Sequence, residues 1–354
     1  MARILVINPG STSTKLALFK GAVPLWSETV SCTKKRLVAC PTLLEQLPMR
    51  RADVRAVLRK REVNIRELDA VAARGGPFKP LKSGTYRITG ALIQDIQNGN
   101  VQSDHASNLA ALIGYEIAET AGISAFFVDP VSVDEMEPLA RYSGLPEIPR
   151  RSLVHALNVK AVARKAAAAM NASIRDLNFI VAHLGGGISI APLRKGRIVD
   201  VNNAIEEGPF SPERAGTLPA SSLVRLCFGG RVDYRLMQRR IVGQAGLVAY
   251  LGTKNLNTIE ARISEGDRQA EEVLQAMAYQ IAKEIGAMAA VLSGRVDAVV
   301  LTGGCAHSDR LCGWIRERVS FIAPVRIFPG EFEMEALAEG VTRVLEGEEE
   351  AKVY

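Results

Sequence analysis

The chain contains the same strand–turn–strand pattern twice, about 175 residues apart, and such a repeat constrains the architecture before any other motif is considered. The first copy runs from Arg3 to Phe19 (RILVINPGSTSTKLALF) and the second from Phe179 to Ala191 (FIVAHLGGGISIA). In both, an apolar run typical of a buried strand leads into a polar or glycine-rich turn, and a second apolar run follows. A Lys-Gly turn ends each copy. The repeat predicts two similar α/β halves.

The turns of both copies carry groups suited to binding an anion. The first turn supplies small hydroxyl donors, backbone N–H groups and one cation, from Asn8, Ser11, Ser13 and Lys15. It lacks the GxxxxGK[ST] spacing, so it is not a Walker A loop. The second turn contains His183 and three glycines, Gly185, Gly186 and Gly187. Two halves that each begin this way predict a central cleft with an anion loop on each wall, although each turn could also be an ordinary hairpin tip.

Length and composition favour two domains. The chain has 354 residues, of which 47% are hydrophobic, so each half can bury a core. Prolines between residues 138 and 149 predict a boundary there, which gives domains 1–150 and 151–330. We expect the C-terminal segment 331–354, which begins with an amphipathic helix, to pack back on the first domain. Residues 347–354 are predicted to be frayed.

Charge and cysteine content point away from several classes of protein. The formal charge is +6, but aromatic residues make up only 5% and no nucleic-acid motif is present, so nucleic acid is not an expected partner. Basic pairs such as Arg50-Arg51 and Arg239-Arg240 are predicted to lie on solvated helix faces. No apolar stretch reaches the length of a membrane span and no secretory signal is recognisable, which predicts a cytoplasmic protein without membrane contact. Five cysteines without metal-ligand spacing indicate reduced thiols.

Further candidate residues follow predicted strands. Arg74 precedes two glycines, Asp129 precedes Pro130, and Gly303 and Gly304 follow an apolar strand. Ligands bind at the carboxyl ends of strands in such folds. Singly, each residue could equally make a surface ion pair or a turn. The last helix begins with three acidic residues near its positive end, Glu331, Glu333 and Glu335, and their roles cannot be told apart from the sequence.

Taken in order, the motifs resemble the acetokinase family, the kinases of acetate and butyrate, within the actin, sugar-kinase and Hsp70 superfamily. The similarity runs nearly end to end. The segments that carry it are INPGSTSTK, RGGPFKP, VDPVSVDEM, HALNVKAVA, VAHLGGGISI, DVNNAIEEGPFSPERAGTLP, GLVAYLGT, LTGGCAHS and PGEFEMEALA, and most are closest to the butyrate kinase branch. The resemblance implies two duplicated actin-like (ribonuclease H-like) domains around a central cleft.

It also implies a chemistry. ATP and Mg²⁺ would serve the reversible phosphorylation of a short-chain fatty acid, butyrate or isobutyrate, to an acyl phosphate, in a homodimer or larger homo-oligomer. Arg74 and Arg214 would hold the carboxylate and the transferring phosphoryl group, with His155 beside them. Asp129 and Glu333 would position Mg²⁺, directly or through its waters.

The same resemblance assigns the binding loops. Asn8, Ser11, Ser13 and Lys15 would line the acyl-phosphate side, and His183 with Gly185, Gly186 and Gly187 would contact the nucleotide phosphates. Gly303 and Gly304 would lie under the adenosine.

Two departures from acetate kinases bear on the substrate. Gly76 stands where those enzymes carry valine, and Val154 where they carry phenylalanine, so both changes remove volume near the expected acyl group. We therefore expect a preference for four-carbon or branched acids. The alternatives are an acetate or propionate kinase, a hydroxyl-acceptor kinase on the same fold, and a non-catalytic nucleotide switch.

Overall fold

A computed structural model describes residues 1–40, 42–230 and 232–354. Contacts within the chain divide it into two compact units, which we call the first unit (residues 1–134 and 332–354) and the second unit (residues 135–331). The division therefore comes before the proline-rich stretch from which the sequence analysis took its boundary. The segment after residue 331 belongs to the first unit.

Both units combine strands and helices. The strands are β1 (Arg3–Pro9), β2 (Ser13–Lys20), β3 (Val23–Ser31), β4 (Ala70–Arg74), β5 (Thr85–Arg87), β6 (Ser124–Val128), β7 (Asn178–Leu184), β8 (Ile188–Arg194), β9 (Arg197–Ile198), β10 (Ala298–Gly303), β11 (Val325–Pro329) and β12 (Lys352–Val353). The helices are α1 (Lys34–Val38), α2 (Leu47–Lys60), α3 (Gly90–Gln97), α4 (Asn108–Ala121), α5 (Ala156–Ala168), α6 (Ala220–Phe228), α7 (Tyr234–Ile241), α8 (Gly246–Leu251), α9 (Leu256–Ser264), α10 (Arg268–Val291), α11 (Asp309–Val319) and α12 (Glu333–Leu345). Short 3-10 helices lie at Leu44–Gln46, Ile65–Glu67, Pro138–Arg141 and Gly304–His307.

The two sheets share a five-stranded arrangement, to which the first sheet adds β5 and β12 at one edge. The sheet of the first unit has the order β12-β5-β6-β4-β1-β2-β3, and that of the second has the order β11-β10-β7-β8-β9. In each sheet, the first strand of the repeated hairpin pairs antiparallel with the second strand and has one parallel neighbour on its other side, β4 beside β1 and β10 beside β7. The duplicated α/β fold predicted from the sequence repeat is confirmed.

Apolar periodicity explains how helices cover these sheets. The face of α4 predicted from the sequence, Leu109, Leu112, Ile113 and Ile117, is buried against β4 and β6. Such a stripe recurs every three to four residues and keeps one side of a helix in the core. In the second unit α10 buries Leu274, Met277, Ile281 and Ile285 in the same way.

Two predictions about exposed segments are wrong. The C-terminal residues are not frayed, because β12 pairs in parallel with β5 and the ring of Tyr354 packs edge-on against Phe78, with centroids 6.3 Å apart. Arg50 does not lie on a solvated face, since its side chain is completely buried. It belongs to the same face of α2 as Val54, Val57 and Leu58, a spacing that the sequence already contained.

No helix among the described residues combines the length and the apolar character that crossing a membrane requires. All five cysteines are free thiols.

Candidate active site

The register of the first sheet brings three predicted residues to one edge. β1, β4 and β6 are parallel neighbours, with Ile7 opposite Ala73 and Arg74 opposite Val128. Asn8, Arg74 and Asp129 therefore lie at the carboxyl ends of adjacent strands, where open α/β sheets bind ligands.

Arg74 joins two of the other predicted residues. Its guanidinium forms an ion pair with the carboxylate of Glu333 and donates to the Asn8 side-chain oxygen at 3.1 Å. The Asn8 amide in turn donates to the same Glu333 oxygen at 2.9 Å. Glu333 is 6% exposed at the start of α12, whereas Glu331 is exposed and Glu335 is half-buried. Of the three candidate carboxylates, Glu333 is thus the one that contacts Arg74 and Asn8.

Asp129 is fixed by a different set of donors. It follows β6 with a positive φ of 38° and is 1% exposed. One carboxylate oxygen accepts hydrogen bonds from the Ser83 hydroxyl at 2.6 Å and from the Gly84 backbone N–H at 2.8 Å. A non-glycine residue in this left-handed region is uncommon and is strained unless its surroundings hold it, so the two donors explain how the conformation persists.

The glycines after Arg74 are required by packing. A Cβ on Gly75 would come 2.5 Å from the Pro130 side chain, and one on Gly76 would come 1.8 Å from the Asn108 side-chain oxygen. Asn108 is completely buried. The space that a valine would take at position 76 is therefore filled by an amide, and the interpretation of Gly76 as added volume for the acyl group is wrong.

The first anion loop keeps its predicted residues near one another. Ser11 lies in the turn, Ser13 begins β2, and Lys15 is the cross-strand partner of Asn8. The Gly10 N–H donates to the Ser13 carbonyl at 2.8 Å and closes the turn.

In the second unit, His183 lies at the end of β7 beside the end of β10. It is 2% exposed, and its Nδ1 accepts a hydrogen bond from the Asn158 amide at 2.8 Å. Asn158 also donates to the Thr302 hydroxyl at 3.3 Å, and Thr302 is the strand partner of His183. Because Nδ1 of His183 accepts this hydrogen bond, the proton of the neutral imidazole lies on Nε2.

His155 immediately precedes α5 and stacks on His183. The ring centroids are 4.1 Å apart and the planes differ by 13°. The Nδ1 of His155 is 2.9 Å from the Ser189 hydroxyl on β8. The two histidines therefore form a stacked pair, which is held by residues of α5, β7 and β8.

Arg214 lies against the triple-glycine turn. A Cβ on Gly187 would come 2.4 Å from a guanidinium nitrogen of Arg214, and one on Gly186 would come 2.9 Å from the carboxylate of Glu213. Arg214 also donates to the Ala204 carbonyl at 3.1 Å. Burial lowers the pKa of Arg214, and the charge of Glu213 partly offsets that effect. Glycine is needed here because any side chain would displace the arginine.

The last predicted loop separates two kinds of glycine. Gly303 has φ of 91° and exchanges backbone hydrogen bonds with Gly330, and a Cβ would come 2.4 Å from the Leu184 carbonyl. Gly304 is exposed, with no atom within 4 Å of an added Cβ. Gly303 is therefore required by the packing of the backbone, whereas Gly304 lies at an open surface.

Sequence reasoning missed several residues that contact the predicted ones, namely Arg50, Ser83, Asn158, Ser189 and Thr302. Asn158 and Ser189 fall within the segments HALNVKAVA and GGGISI, so their position was visible although their partners were not.

Comparison with known proteins shows the family to which the chain belongs. The acetokinase family profile matches residues 147–319. Butyrate kinase 2 of Clostridium acetobutylicum is 49% identical to the chain over 353 residues, which cover 99% of both proteins. The chain belongs to the acetokinase family. The solved structure of Porphyromonas gingivalis acetate kinase has the same fold, with a TM-score of 0.77 at 20% identity, covering 97% of this chain and 99% of that one. A Francisella tularensis propionate kinase gives a TM-score of 0.76 at 16% identity, covering 96% and 99%.

Proposed function

We propose that this acetokinase family member transfers the γ-phosphoryl group of ATP to a short-chain carboxylic acid, butyrate or isobutyrate, in a reversible in-line reaction that yields an acyl phosphate. The observation that carries the proposal is the 49% identity to a butyrate kinase across 99% of both chains. The arginines, histidines and glycine turns described above are residues suited to binding the phosphates and the carboxylate of this reaction.

A carboxylate acceptor explains why cationic groups dominate the site. A carboxylic acid is already ionised at pH 7, so no general base has to remove a proton, but two anions must approach each other. Phosphoryl transfer depends on alignment and charge neutralisation rather than on covalent help. Arg74 and Arg214 hold the carboxylate and the phosphoryl group, and His155 donates to the same oxygens. That both arginines act on one substrate is a prediction, because they lie in different units.

His183 and the glycine turn serve the nucleotide. His183 presents an Nε2 proton, since Asn158 occupies its Nδ1. We assign Gly185, Gly186 and Gly187 to the nucleotide phosphates, and Gly304 with the backbone at Gly303 to the adenosine. Asn8, Ser11, Ser13 and Lys15 bind the acyl-phosphate side.

The residues present suit Mg²⁺. Asp129 and Glu333 are buried carboxylates, and hard oxygen donors are what Mg²⁺ prefers. No cluster of three metal-ligating side chains occurs in the described part of the chain, which fits an ion that takes one or two carboxylates and completes its shell with phosphates and waters. When bound, Mg²⁺ supplies charge neutralisation on the phosphates. Asp129 and Glu333 would hold the ion directly or through its waters, and one oxygen of Glu333 is at the same time engaged by Arg74 and Asn8.

Hydroxylamine trapping tests the reaction class. MgATP, hydroxylamine and a panel of C2 to C5 acids should yield a hydroxamate, fastest with butyrate or isobutyrate. A hydroxyl-acceptor kinase gives none, and a clear preference for acetate would identify an acetate kinase instead. We also propose that the protein is cytoplasmic and that it forms a homodimer or a larger homo-oligomer. Light scattering of the purified protein would test the oligomeric state.

A further inference from the structure

The strongest feature that the proposed roles leave unexplained is a buried cation beneath the first anion loop. Arg50, in the first turn of α2, is completely buried, and burial lowers its pKa. A guanidinium nevertheless keeps its charge in proteins. A buried charge is costly unless its partners compensate it, so its retention calls for a reason.

The hydrogen bonds described for Arg50 all go to neutral oxygens. One terminal nitrogen donates to the Ser13 carbonyl at 3.2 Å and to the Thr14 hydroxyl at 3.1 Å. The other donates to the Ser11 carbonyl at 3.3 Å, and Gln46 accepts from Nε at 3.3 Å. The side chain therefore spans the whole turn and leaves its positive charge unneutralised by a hydrogen-bonded carboxylate.

This arrangement controls where the carbonyl groups of the loop point. The carbonyls of Ser11 and Ser13 face Arg50, and the carbonyl between them, on Thr12, accepts from the Cys32 N–H at 2.7 Å. Three successive carbonyl dipoles are thus tied to protein donors. A loop that binds an anion needs this, because a carbonyl turned toward the anion would repel it.

We propose that Arg50 is a positioning residue for phosphate binding: it ties the carbonyls of the first anion loop away from the acyl phosphate and adds a buried positive charge beneath the loop. The inference rests on the proposed function for the identity of the ligand, but not for the loop contacts. Because the surrounding medium is poorly polarisable, the charge acts on the loop with little screening.

The test compares substitutions on one helix. Arg50→Met removes the charge and the planar guanidinium, and Arg50→Lys keeps the charge without the bidentate geometry. Gln46→Leu removes the oxygen that accepts from Nε and from one terminal nitrogen, and leaves the contacts of Arg50 with the loop in place. Arg55→Gln is the matched control, since Arg55 lies on the same helix, is 61% exposed and pairs with Glu116. KM for butyryl phosphate, KM for ADP, the inhibition constant of inorganic phosphate, and amide hydrogen exchange over residues 10–14 are measured.

Arg50→Met should raise KM for butyryl phosphate about tenfold or more, leave KM for ADP within about twofold, and speed exchange at residues 10–14. Arg50→Lys should recover part of the KM effect, and Arg55→Gln should match the wild type. A folded Arg50→Met protein with wild-type KM for butyryl phosphate would overturn the proposal.

If both Arg50 variants fail to fold, Gln46→Leu decides. Faster exchange over residues 10–14 with weaker inhibition by phosphate supports the proposal, and wild-type values for both refute it. A wild-type protein that forms no hydroxamate would remove the proposed function, while the exchange and inorganic phosphate measurements would still test Arg50.

Discussion

The imidazole rings of His155 and His183 stack almost in parallel, with centroids 4.1 Å apart. Each ring is also held at Nδ1, His155 by the Ser189 hydroxyl and His183 by the Asn158 amide. The contacts fix both the orientation of the pair and the nitrogen that His183 can offer as a donor.

Asn158→Leu should weaken nucleotide binding through His183. The substitution keeps the size of the side chain but removes the donor to Nδ1, so His183 can change tautomer. We expect KM for ATP to rise about tenfold, as for a lost hydrogen bond to a buried polar group, with KM for butyrate little changed. Steady-state kinetics measure both. Asn257→Leu, at an exposed position of α9, is the control, and equal KM values for ATP in the two variants would contradict the role of Asn158.

Arg74→Ala should reduce kcat by about two to three powers of ten, as for loss of a preorganised donor to a developing charge. Glu333→Gln should cost less if its role toward Arg74 is orientation. In a double-mutant cycle the two changes should be non-additive, because the residues contact each other. Additive losses in kcat would mean that the ion pair does not serve the reaction.

Gly76→Val should destabilise the protein rather than narrow the acyl pocket. Its Cβ would come 1.8 Å from the Asn108 oxygen, so overpacking should lower the free energy of unfolding by about 1–3 kcal/mol. Gly76→Val combined with Asn108→Ala should regain much of that loss, since the amide no longer fills the space. Urea titrations of the single and double variants measure the coupling, and a fully stable Gly76→Val protein would contradict the packing explanation.

Lys352→Met should raise the Mg²⁺ concentration required for half-maximal activity. Lys352 Nζ donates to the Ser83 carbonyl, and the Ser83 hydroxyl donates to Asp129. Loss of the lysine should make the position of Ser83 less well defined, and the Asp129 carboxylate that accepts from Ser83 should become less well oriented. We expect a shift of about threefold to tenfold, smaller than the roughly 10–100-fold typical of residues that contact a metal ligand directly, because Lys352 acts on Asp129 through Ser83. Lys60→Met is the control, because the Lys60 side chain is 65% exposed. An unchanged Mg²⁺ dependence in Lys352→Met would show that β12 does not influence the Asp129 carboxylate.

Cys305 and Cys312 should resist alkylation in the folded protein. Burial is the main cause that raises the pKa of Cys305 to about 12 and that of Cys312 to about 11. A raised pKa lowers the thiolate fraction at pH 8, and the thiolate is the reactive form. Mass spectrometry after iodoacetamide treatment should find both thiols modified only in denaturant. Modification at pH 8 in the native protein would show that these positions open.

The sequence was sufficient for the architecture because the repeat is carried by local patterns. Apolar runs and turns at 3–19 and 179–191 predict each hairpin without knowledge of the partner strands. The candidate site residues could be proposed for a similar reason, since strand ends such as Arg74 and Asp129 are visible as the limits of apolar runs.

What could not be predicted depends on distant partners. The role of Asn108 at Gly76 and that of Asn158 at His183 are set by packing between elements far apart in the chain. The charge of Arg50 predicts an exposed side chain, but its position on the apolar face of α2 leads to burial. The tail was misjudged because β12 is only two residues long and gains its order from β5 and Phe78.

The first unit is assembled from two stretches of chain separated by the whole of the second unit. During translation, β1 to β6 leave the ribosome long before α12 and β12 are synthesised. The buried surface that α12 covers, and the carboxylate that pairs with Arg74, are missing throughout that interval. The second unit is continuous in sequence, so we expect its core to be complete before the first unit receives its final helix.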